Sequence, residues 1–190
     1  MKRASLILAA LLATLLAAPG ARANALDGVL EVRSAYVNVD HGVFKLHARM
    51  QYPENEEIRG ALADGVTLSF DVEAVIARER RYWFDADVVA VTLRRELSFH
   101  AVSNRYVVRD DSPGASQESY ATLHEALEAI GTVDDWPVLV EPQISPDARY
   151  RVGVRASVRR GRLPDSLRVL MFWADSWHRT SEWYSWSLPV

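Results

Sequence analysis

The chain of 190 residues contains no cysteine. That excludes disulfides, thiol nucleophiles, cysteine metal sites and a lipid-modified N-terminal cysteine. It carries no Gly-rich phosphate loop, no nucleophile elbow around a serine and no zinc-protease pair of histidines on a helix. No internal repeat or disordered polar tract interrupts it. Beyond residue 23, no segment is long and apolar enough to span a membrane, which takes about 20 apolar residues. A hydrophobic fraction of 49% and a charged fraction of 25% are those of one folded domain. A domain of this size buries enough core to dispense with disulfides.

The N-terminus is of a different kind. Lys2 and Arg3 form a basic start, "ASLILAALLATLLAA" is an apolar run, Pro19 and Gly20 break it, and "ARA" supplies the small-x-small pattern. This reads as a secretory signal peptide over 1–23, cleaved after Ala23, with a single domain over 24–190 and a periplasmic location. Removing Lys2, Arg3 and Arg22 takes Lys+Arg from 22 to 19 against 25 acidic residues, so the mature net charge is −6. Such a chain has no general attraction to nucleic acid or anionic lipid.

The mature sequence reads mostly as strands. "LEVRSAYVNV", the turn "DHG" and "VFKLHARMQY" make a hairpin. In its second arm Phe44, Leu46, Ala48, Met50 and Tyr52 take one face and Lys45, His47, Arg49 and Gln51 the other. Val66, Leu68, Phe70, Val72, Ala74 and Ile76 alternate in the same way, as do Tyr150, Val152, Val154, Ala156 and Val158. "VVAVTLRRELSFHAV" is one long bent strand or two, and "RYVVRD" is a further short one. "WPVLVEP" holds a strand that Pro137 keeps from being fully central. "LRVLMFWA" is apolar on both faces, as in a packed central strand, and "EWYSWSL" closes the chain. Asp110–Ser119 is the most loop-like segment.

Two short helices interrupt. One follows the capping residue Asn55 and ends near Gly65. The other follows Thr122, with Glu125 as its capping-box partner, Leu123, Ala126, Leu127 and Ile130 as its apolar stripe and Gly131 as its end. Eight or nine strands with two short helices predict a mainly β fold: an antiparallel β-sandwich of immunoglobulin-like architecture, with a half-open barrel as the alternative.

Few residues suggest chemistry. His41, His47, His100, His124 and His178 share no ligand spacing, and Asp85 with Asp87 reads as a charged turn, so no metal or other cofactor is expected. No catalytic residue emerges, and the expectation is a protein that is not an enzyme. The basic clusters "RERR" and "RRGR" read as solvated strand ends in an acidic domain, not as a nucleic-acid interface.

Four of the six tryptophans fall in the last eighteen residues. Strand parity assigns Trp173 and Trp186 to the core. Trp177 lies in a turn, and Trp183 shares the polar side of its strand with Ser185 and Ser187. These two, rimmed by His178, Arg179 and Glu182, are candidates for a partner hot spot or a sugar-stacking platform. The alternative is that they pack on each other or on a helix, since tryptophan is largely buried on average.

"YWFD", "SYATLHEALEAIG" with "WPV", "LPDSLR" and "SEWYSW" together resemble the bacterial secreted family called Domain of Unknown Function 4390, from about Leu30 to Leu188. The resemblance implies no activity. It implies a gene often placed beside one for a nitrogen-regulation-type sensor histidine kinase. A protein partner in the envelope, such as that kinase, follows as an expectation. It also implies that Trp83, Asp85, Ser181, Glu182 and Trp183 belong to the family pattern. Phe84 stands where that pattern leads one to expect tryptophan.

Overall fold

The computed structural model describes residues 26–79, 86–111, 117–140, 145, 147–161 and 177–188. The chain forms strand β1 (Glu31–Asp40) and strand β2 (Val43–Gln51), then helix α1 (Glu56–Ala63). Strands β3 (Leu68–Arg78), β4 (Ala86–His100), β5 (Arg105–Asp110) and β6 (Gln117–Tyr120) follow. Helix α2 (Leu123–Gly131) leads into β7 (Thr132–Val140), β8 (Tyr150–Arg160), β9 (His178–Thr180) and β10 (Tyr184–Leu188).

These strands build two antiparallel sheets. The smaller has the order β1-β2-β7; the larger runs β10-β8-β3-β4-β5-β6, with β9 also on β8. Their inner faces form one core, so the fold is a β-sandwich and not a barrel. The first hairpin turns through His41 and Gly42, both at positive φ (51° and 76°). That is the two-residue turn whose twist suits a hairpin. β7 lies at the edge of its sheet, where Pro137 deprives no outer neighbour of a donor.

The period-two residues bury as their spacing predicts. Phe44, Leu46, Ala48 and Met50 of β2, Leu68 to Ile76 of β3 and Tyr150 to Val158 of β8 point inward and are buried. The stretch expected to be one bent strand or two is a single 15-residue strand, β4. Gln117–Ser119, expected in a loop, lies in β6, which pairs with β5 from Tyr106 to Arg109. The apolar stretch from 167 to 174, with Trp173, lies outside the described residues, as do Trp83 and Asp85.

The larger sheet overhangs the smaller. Helix α2 fills the space beneath the overhang, contacting β2, β5, β6 and β7. Its start is a full capping box: Thr122 Oγ1 accepts from the Glu125 amide at 3.1 Å, and the Glu125 carboxylate accepts from the Thr122 amide at 3.3 Å. Its end is held by an arginine on the inward side of β4. Arg95 Nη1 donates to the carbonyls of Ala129, Ile130 and Thr132 at 3.0, 2.9 and 2.7 Å. Such a cation satisfies carbonyls that a helix leaves unpaired and suits the negative end of its dipole. Gly131 has a different role from the left-handed cap its position suggests. Its φ is not positive, and a Cβ there would stand 2.4 Å from the Met50 carbonyl oxygen. The glycine allows the helix end to lie backbone-to-backbone against β2.

Candidate functional site

The C-terminal segment runs along one edge of β8 in two pieces. β9 pairs with Ser157–Arg159 and β10 with Tyr150–Val154. Between them, residues 181–183 stand opposite 155–156, so one extra residue must be accommodated. This is a bulge, a device that redirects side chains at a sheet edge. Ser181 makes it tolerable. Its amide donates to the Ala156 carbonyl at 2.8 Å, its hydroxyl accepts from the Ala156 amide at 3.0 Å, and that hydroxyl donates to the Glu182 carbonyl at 2.9 Å. A buried side chain thus supplies the ladder bond that the bulge removes.

The bulge places Glu182 and Trp183 outside. Trp183 is 43% exposed. Its indole lies over Gly153, where a Cβ would be 3.1 Å from Cε3. Arg155 Cζ stands 4.5 Å from the ring centroid, a cation–π stack. Arg155 is itself fixed by Glu73 on β3, with Nε and Nη2 at 2.8 and 2.7 Å from Oε2. Asp71 on β3 anchors the same face by pairing with Arg94 at 2.7 Å and Arg159 at 3.2 Å. The exposed indole therefore sits on a preordered floor: Gly153 below it, and Arg155 held by the carboxylate of Glu73, its direct partner on the neighbouring strand.

Among the expected surface residues, Ser181, Glu182 and Trp183 are brought together by this bulge. Ser181 is structural, Glu182 is exposed, and Trp183 presents an open aromatic surface. Trp177, expected at the surface, is half-buried and packs against the core. Trp186, assigned to the core, is also half-buried, because β10 is an edge strand with cover on one side only. It meets the exposed Tyr184 edge-on, with ring centroids 5.9 Å apart. The supporting trio of Gly153, Arg155 and Glu73 was not read as a site from the sequence. The signal that marks it is Gly153 itself, a lone glycine inside an alternating strand, which indicates close approach of another group.

A second polar face lies on the outside of the smaller sheet. Tyr36 stacks on His47, its direct cross-strand partner, at 4.8 Å and 8°. His47 Nδ1 is 3.4 Å from Asp134 Oδ1, and Nε2 is 3.3 Å from Asn38 Oδ1. The Arg49 guanidinium, with help from His47, holds the Asp134 carboxyl below the usual carboxylate range. Among the described residues, no group of three or more His, Asp or Glu side chains could hold a metal ion.

Three open grooves flank α2. One of about 550 Å³ is lined by Arg95, Asp110, Glu118, Tyr120 and Glu128 among others. Burial, and then a hydrogen bond to Glu118, push the Tyr120 hydroxyl up to about 12, so it stays protonated at neutral pH. The His100 ring meets Ser103 Oγ at 2.8 Å, but in an exposed turn and outside all three grooves. That hydroxyl also reaches the His100 carbonyl, as turn residues do.

Fold and surface define an antiparallel β-sandwich with a stiffened aromatic patch at a sheet edge. The chain belongs to the family described as a domain of unknown function (DUF4390), whose family model matches residues 28–187. No curated protein and no solved structure is detectably similar to it. Among the described residues, no helix is long and apolar enough to cross a membrane.

Proposed function

We propose that this is an exported, non-enzymatic binding protein that docks a protein partner in the bacterial envelope through the surface around Trp183. The observation that carries this reading is the exposed indole held over Gly153 and stacked with Arg155. An aromatic side chain fixed before contact loses little freedom on binding, and Trp and Arg dominate interface hot spots. The leader pattern of residues 1–23 supports export. The gene neighbourhood implied by the resemblance makes an envelope sensor histidine kinase the partner we propose.

The test is a crosslinking pull-down from the cell envelope, with partners identified by mass. Trp183→Ala should leave stability within about 0.5 kcal/mol, as surface changes usually do, and cost about 2 kcal/mol or more of binding. Capture of the same partner by Trp183→Ala at undiminished yield would refute the surface. A glycan stacking on the indole is the second reading, favoured by the exposure of a flat ring beside polar Ser185 and Glu182. Intrinsic fluorescence separates the two, since a sugar on Trp183 shifts emission when oligosaccharide alone is added.

A further inference from the structure

Four strands lie outermost in the two sheets, and three of them carry features that discourage further pairing. β1 bears Glu31, Arg33 and Asp40 and is irregular between Val32 and Ser34. β7 bears Asp134, Asp135 and Pro137 and shifts register twice against β2. β6 has only four residues, one of them Glu118. β10 differs from all three. Its five residues, Tyr184–Leu188, include no charge, proline or glycine and run in unbroken register against β8. Among the described residues, no strand pairs with its outer side. Its inner face is incompletely covered. Tyr184, Trp186 and Leu188 stand opposite Val154, Val152 and Tyr150, all buried, so they face the core side. The smaller sheet ends at β1, which leaves Trp186 half-buried and Tyr184 exposed. Ser185 and Ser187 take the outer face and are exposed.

We infer that β10 is a homodimer edge: two copies of the chain join antiparallel through β10, centred on Trp186, into one continuous sheet. With Trp186 opposite its own copy, Tyr184 meets the partner's Leu188 and Ser185 meets the partner's Ser187. All five positions then pair, apolar with apolar on the core side and hydroxyl with hydroxyl on the outer side. Any other register that keeps the two faces matched pairs fewer of the five. The symmetry favours a second copy over a foreign strand, because a two-fold contact needs a self-complementary edge and an uncharged one does not repel its copy. Strands of this length bury less than the about 1,200 Å² of a stable complex, so the dimer is transient, with a Kd on the order of 10–100 µM. The two-fold axis stands perpendicular to the joined sheet. Both Trp183 rings therefore lie on the same outer face, three residues either side of the centre and roughly 20 Å apart. One dimer thus offers two copies of the surface proposed above, although the dimer itself does not rest on that reading.

The experiment is sedimentation velocity on the chain as isolated from expressing cells, its N-terminus fixed by intact mass, between about 1 µM and about 500 µM. Monomer should give way to dimer across this range. Ser185→Glu combined with Ser187→Glu places like charges directly opposite each other at both ends of the register and should weaken dimerisation about tenfold. Ser185→Glu combined with Ser187→Lys sets opposite charges in the same places and should dimerise at least as well as the parent. All of these changes fall at exposed positions, and circular dichroism of each variant should match the parent. A chain that stays monomeric throughout, or a dimer indifferent to both variants, would overturn the inference. A dimer that Trp183→Ala dissociates while the two-glutamate variant leaves it intact would move the contact to the indole surface and overturn the edge. A monomer whose two-glutamate variant loses its crosslinked envelope partner would give the edge to a foreign strand, which overturns self-pairing as well.

Discussion

Two glycines in the two helices make opposite predictions. Gly60 lies in α1 with open space where a Cβ would go. Alanine there should stabilise the protein by about 0.5–1 kcal/mol through helix propensity and a less flexible unfolded chain. Gly131 ends α2, and the same propensity argument would promise the same gain. The packing reverses the sign. A Cβ at 131 would stand 2.4 Å from the Met50 carbonyl oxygen, while ordinary contacts begin at 3.4 Å, so helix and strand must part by about 1 Å. Neither backbone can yield easily: Met50 is in the β1–β2 ladder, and the end of α2 is tied to Arg95. Overpacking of this kind costs about 1–3 kcal/mol, which outweighs the propensity gain. Gly131→Ala should therefore lose about 2 kcal/mol, a fall in Tm of about 4–8 °C, while Gly60→Ala rises slightly. Urea unfolding followed by tryptophan fluorescence and far-UV circular dichroism measures both. If Gly131→Ala is as stable as the parent while Gly60→Ala gains, the close approach of α2 to β2 is wrong.

Other perturbations test different contacts. Tyr52 is buried with a hydroxyl that has no hydrogen-bond partner among the described residues, so Tyr52→Phe should be neutral or stabilising by about 1 kcal/mol in the same urea titration. Ser181→Ala removes the acceptor for the Ala156 amide and should cost about 1–2 kcal/mol; an unchanged midpoint would mean that the bulge does not depend on that hydroxyl. His124 bonds Glu54 at 3.1 Å and lies near Glu128, and these carboxylates raise its folded-state pKa above 6.5. Its contribution is full below about pH 6.5 and fades as pH rises through the raised value, so His124→Gln should flatten that part of a stability–pH curve. Trp186→Ala, at a half-buried edge position, should cost about 2 kcal/mol, below the range of about 3–5 expected for a fully buried tryptophan.

Much of the sandwich is legible from local order. The buried faces of β2, β3 and β8 follow from alternation, because a pleated strand sends successive side chains to opposite sides. The start of α2 follows from Thr122 and Glu125, whose side chains can reach only nearby amides. The family follows from short motifs spread along the chain. Other features depend on residues far apart in sequence. Alternation tells which face a side chain takes, but not whether another layer covers that face. Trp186 is half-open because β10 ended at an edge. Trp183 is presented because a bulge found Ser181 to repair it and Gly153 to make room. Arg95 takes the inward face with Leu97 by alternation, but it is tolerated there because α2 arrives beneath it with unpaired carbonyls. Gly131 is needed because β2, some 80 residues earlier, runs against it. Periodicity and capping are properties of neighbours along the chain and could be read there. Cover, edge and close approach arise only when the two sheets meet, so the tertiary structure alone decided them.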